Sequence, residues 1–61
     1  MMKPINLDKF PDNTAIIRYK ENGVIGDWAI GADPKKDNEE TMRDHLRKWR
    51  PNAEFIDCAI K

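Results

Sequence analysis

Two residue types that often act as nucleophile, base or ligand occur once each in this 61-residue chain: histidine, at His45, and cysteine, at Cys58. A histidine titrates near neutral pH and suits general-base or metal-binding work. His45 has no second histidine at ligand spacing, and it reads as a helix-face residue beside Trp49 at the core boundary. A reactive thiol needs a cationic neighbour or a helix N-terminus to lower its pKa. Cys58 instead alternates with Ile56 and Ile60, which suggests a small buried hydrophobe. Serine is absent, so there is no serine nucleophile, and no Gly-rich phosphate loop or G-x-S-x-G stands in the chain. These residues lead to the expectation of a non-enzymatic protein, with no catalytic residue, cofactor or metal.

Two further groups bear on binding. Arg43, Arg47 and Arg50 follow at i, i+4 and i+7, with Lys48 among them, and form a basic stripe on a predicted helix. Such a stripe can contact nucleic-acid phosphates. It also complements the helix dipole, because Asp37, Glu39 and Glu40 crowd the other end. Trp28 and Trp49 could form a stacking platform, but the pattern turns both inward, toward core packing.

Composition narrows the classes. Lys+Arg and Asp+Glu number 11 each, 36% of residues are charged and 39% are apolar. The apolar share and zero net charge speak against disorder, and the neutrality against a general nucleic-acid binder. No apolar run nears the roughly 18 residues of a membrane span. No export signal is visible at the N-terminus. A lone cysteine forms neither an internal disulfide nor a cysteine-based zinc site, so a soluble, cytoplasmic protein is expected.

The elements that must position these residues follow from local chemistry. Residues 1–13, with Pro4 and Pro11, read as an extended arm with Ile5, Leu7 and Phe10 as apolar anchors. The domain proper is 14–61. Residues 14–31 form a hairpin turning at Asn22-Gly23, a type I′ pair. That turn sets Tyr19 opposite Gly26, Arg18 opposite Asp27, Ile17 opposite Trp28 and Ala15 opposite Ile30, and gathers the apolar side chains on one face. A turn at Gly26-Asp27 competes but leaves a very short return strand. Asp37 is the expected N-cap, with Glu40 completing a capping box. The helix is predicted over Asn38–Trp49, with an apolar stripe of Met42, Leu46 and Trp49, and Pro51 stops it. Residues 54–60 form the last strand, with Ile56, Cys58 and Ile60 on one face and Phe55, Asp57 and Ala59 on the other.

The fold class is therefore α+β: a single small two-layer domain, β-β-α-β, with one helix on a three-stranded, mainly antiparallel sheet. Strand order 2-1-3 is preferred to 1-2-3, because it needs no parallel pair. One helix covers one face only. The other face is expected to show Ile16, Ile25, Ala29, Phe55 and Ala59, covered either by the arm or by another chain. These five are the candidate contacts for a protein partner or for self-association, through that face or a strand edge. The alternative is nucleic-acid binding through Arg43, Arg47, Arg50 and Lys48.

Overall fold

A computed structural model describes residues 3–61; the first two residues of the arm lie outside it. The elements are β1 (Thr14–Glu21), β2 (Val24–Gly31), α1 (Glu39–Trp49) and β3 (Glu54–Ile60). They form an α+β domain whose sheet has the order β2-β1-β3, antiparallel throughout.

The hairpin has the expected register over its whole length, from Glu21↔Val24 to Thr14↔Gly31. Asn22 at φ 54° and Gly23 at φ 79° are both left-handed, as a type I′ turn demands. Tyr19 lies across Gly26, where an added Cβ would stand 3.2 Å from the phenol oxygen. An aromatic ring therefore covers the bare backbone of the opposite strand.

Ala15, Ile17, Ala32, Met42 and Leu46 form the buried core, with Tyr19, Trp28, Ile30, Ala53, Phe55, Cys58 and Ile60 packed around it. Met42 and Leu46 are the buried residues of α1, one turn apart. The helix begins one residue later than expected. Asn38, not Asp37, is the N-cap: its side chain accepts from the Thr41 N–H at 3.1 Å, and Thr41 Oγ1 accepts from the Asn38 N–H at 2.9 Å. Asp37 is engaged elsewhere, since its carboxylate accepts from the Asp33 N–H at 2.8 Å and ties the loop. At the other end Arg50 N–H donates to Leu46 O at 2.7 Å, and Pro51 prevents a further turn.

Two features depart from simple alternation. β3 pairs Asp57 with Arg18 but Phe55 with Tyr19, so Ile56 is an extra residue in a β-bulge. The bulge reverses the parity of the strand: Phe55 joins Cys58 and Ile60 on the helix face, not the outer face, and Ile56 leaves the inward row. Trp49 is the second departure. It continues the apolar stripe, yet it is 61% exposed. The ground beneath it is taken, because His45 packs on Trp28 and the Arg50 guanidinium lies over both Tyr19 and Trp28.

The arm lies against the helix-free face. Lys61 Nζ donates to Phe10 O at 3.0 Å and Leu7 O at 3.4 Å, and Arg18 donates to Lys3 O. Beneath this cover Ile16 is only 6% exposed, and Ile56 and Ala59 are half-buried. Ile25 and Ala29 on β2 remain exposed. The arm therefore closes the middle and the β3 half of that face, and leaves the β2 half open.

Candidate interaction surface

The open half begins with the hairpin itself. In a two-residue hairpin the pair flanking the turn, Glu21 and Val24, exchanges both backbone hydrogen bonds, and bonded pairs recur at every second residue. Gly26, Trp28 and Ile30 are thus satisfied by β1. Ile25, Asp27, Ala29 and Gly31 direct their N–H and C=O groups outward, along the free edge of the sheet. Natural edges are usually blunted by lysine, proline, a bulge or a short length. β2 has eight residues, Val-Ile-Gly-Asp-Trp-Ala-Ile-Gly, with neither lysine nor proline, and its register is unbroken.

Its one charge, Asp27, is ion-paired within the sheet but stays nearly half exposed. Arg18 grips Asp27 in a two-pronged ion pair, Nε to Oδ1 at 2.8 Å and Nη2 to Oδ2 at 3.1 Å. These hydrogen bonds hold the Asp27 carboxyl below its ordinary pKa and push the Arg18 guanidinium above its own. The Arg18 backbone is central and its side chain almost buried, so one residue fastens β1, β2 and the arm together.

Apolar groups flank this edge on both sides. Val24 is 68% exposed on the helix side and Ile25 49% exposed on the other. Trp49 adds to the helix side. Its ring centroid is 6.2 Å from that of His45, which stands 5.1 Å from Trp28 on β2. An open cleft of about 420 Å³ lies between Trp28, Trp49, Arg50, Pro51, Asn52 and Glu21. Arg50 is 3.6 Å from Glu21 Oε1, a buried oxygen that accepts no hydrogen bond among the described residues. Arg50, stacked over Tyr19 and Trp28, forms one wall of the cleft.

Of the five residues expected on a partner face, only Ile25 and Ala29 stand exposed together. Ile16 is buried and Ala59 half-buried, while Phe55 faces the helix. Val24 and Trp49 were missed as surface residues. The hairpin register contained the signal for Val24, which follows the turn directly at the strand's free end; nothing in the helix pattern marked Trp49.

The basic stripe is dispersed by its neighbours. Arg43 pairs with Glu39 at 3.5 Å and lies 4.2 Å over the Phe55 ring; Arg47 pairs with Asp44 at 3.5 Å; Arg50 pairs with Glu21. Lys48 Nζ lies 5.4 Å over Trp49. Each arginine therefore presents a charge already answered by a carboxylate. Burial pushes the half-buried Cys58 thiol up, with Glu39 and Asp57 adding to the rise, so it stays protonated at neutral pH. Among the described residues no group of three His, Cys, Asp or Glu side chains is placed to hold a metal ion, and no helix is long and apolar enough to cross a membrane. No family model, characterised protein or solved structure matches this chain.

Proposed function

We propose that this chain is a non-enzymatic interaction module that binds protein by adding a strand to the β2 edge. One observation supports the reading above the rest: Val24, Ile25 and Trp49, the large apolar residues left exposed among the described ones, all stand on the flank of the unguarded strand. Strand addition draws affinity from backbone hydrogen bonds and specificity from side chains on alternate faces. The outward N–H and C=O groups supply the first, and Val24, Ile25 and Trp49 the second. The nucleic-acid alternative has less support, because zero net charge and paired arginines leave little free positive potential. A lone, protonated cysteine suits a reducing cytoplasm.

The test compares two double variants in affinity capture from the native cell, with nuclease present. Val24→Lys with Ile25→Lys places charge on the edge; Arg43→Ala with Arg47→Ala removes half the basic cluster. The edge variant is expected to lose the specifically captured protein and the arginine variant to retain it. Micromolar binding of duplex DNA or RNA by the wild type, kept by the edge variant and lost by the arginine variant, would overturn the reading in favour of nucleic acid.

A further inference from the structure

Resting on the β2-edge reading, we propose that the strand added there is β2 of a second copy, giving a six-stranded sheet with a twofold axis at Trp28. Three features of the edge make it self-complementary. The chain carries 11 positive and 11 negative residues, so two copies meet without net repulsion. The strand is regular, with no bulge on the pairing side. Its outward backbone groups fall on odd-numbered residues only, and this restricts how two copies can align.

An antiparallel pair of identical strands must match outward groups with outward groups. Two such registers pair all but one of the eight β2 residues: one centred on Asp27, the other on Trp28. The first sets Asp27 against its own counterpart, and like charges directly opposite are destabilising. The second sets Asp27 against Ala29, Ile25 against Gly31 and Trp28 against Trp28, the last at a non-hydrogen-bonded position where side chains come closest. Trp28 then extends across the axis the aromatic row already formed by His45 and Trp49. The axis stands perpendicular to the sheet, so both helices lie on one side and both arms on the other. A contact of one strand edge is at the small end of interface sizes, and the dimer is expected to dissociate on dilution.

Light scattering and sedimentation of the full chain, from micromolar to millimolar concentration, test the dimer. The wild type is expected to pass from monomer to dimer. Ala29 is exposed and its substitution leaves the core intact, so its charge variants read the register. Ala29→Glu meets Asp27 twice in each dimer and is expected to raise Kd relative to Ala29→Lys by about two- to thirty-fold. Equal Kd for the two variants would overturn the Trp28-centred register. Hydrogen exchange of the wild type gives a second measure that needs no variant: the amides of Asp27 and Ala29 should slow with concentration, and those of Gly26 and Trp28 should not. A wild type that stays monomeric at millimolar concentration, with those amides unprotected, sinks self-pairing. In that case loss of captured protein in the Val24→Lys, Ile25→Lys variant still upholds the β2-edge reading; retained capture removes both.

Discussion

The two edges of the sheet are built from strands of similar length, and they end differently. β3 has a bulge at Ile56, its outer-face residues lie toward the arm, and on its helix side Phe55 is capped by the Arg43 guanidinium. β2 is regular, the arm leaves it uncovered, and the apolar groups beside it face water. One helix and a short arm cannot cover three strands on two faces. The cover goes to the faces of β1 and β3, and the flanks of β2 are left exposed.

The sharpest break of this contrast sets one aromatic residue against another. Phe55→Ala removes a ring packed between the core and Arg43 and is expected to destabilise by about 3 kcal/mol, toward the low end for aromatic deletions because the ring is half-buried. Trp49→Ala removes a larger but exposed ring and is expected to change stability by less than about 1 kcal/mol. Urea unfolding of both variants measures the pair. Equal losses would erase the distinction between a closed and an open flank.

A somewhat smaller effect sharpens the account of the outer face. Deleting residues 1–10 uncovers Ile16 and takes from Arg18 its carbonyl acceptor on the arm. Exposing a buried isoleucine is worth about 2 kcal/mol, a large share of the stability of so small a domain. Ile25→Ala, on the open half of the same face, is expected to leave the melting temperature almost unchanged. If the truncated chain melts with the wild type, the arm is not the cover of Ile16.

The smallest effect is electrostatic. Hydrogen bonds from Arg18 hold the Asp27 carboxyl below its ordinary range. A carboxylate whose folded pKa is depressed stabilises the fold fully above its unfolded pKa, near 4, and loses that contribution as pH falls through the folded value. Melting curves should therefore show a loss of stability on acidification that is reduced in Asp27→Asn. The difference is expected to stay below about 1 kcal/mol, since the Asp27 side chain is nearly half exposed. Identical acid profiles would remove Asp27 from the account of how the arm, β1 and β2 are joined.

What the sequence determined by itself lies within a few residues of its cause. Asn22 and Gly23 accept left-handed backbone cheaply, and period-two alternation then leaves one register that segregates apolar from charged residues; the pairing from Ala15↔Ile30 to Glu21↔Val24 follows. Pro51 cannot continue a helix, so α1 stops where its ring forces it to. Strand order β2-β1-β3 follows from the short hairpin and the preference for antiparallel pairing. The tertiary structure decided what depends on distant parts of the chain meeting. Nothing in the alternation of residues 54–60 placed a bulge in β3, and the bulge turned Phe55 to the helix. Asp37 lost the cap to Asn38 because the Asp33 amide claimed its carboxylate. Trp49 belongs to the apolar stripe by spacing, but Arg50 and His45 occupied the aromatic floor before it. Periodicity assigns a residue to a face; only packing decides whether that face still has room for it.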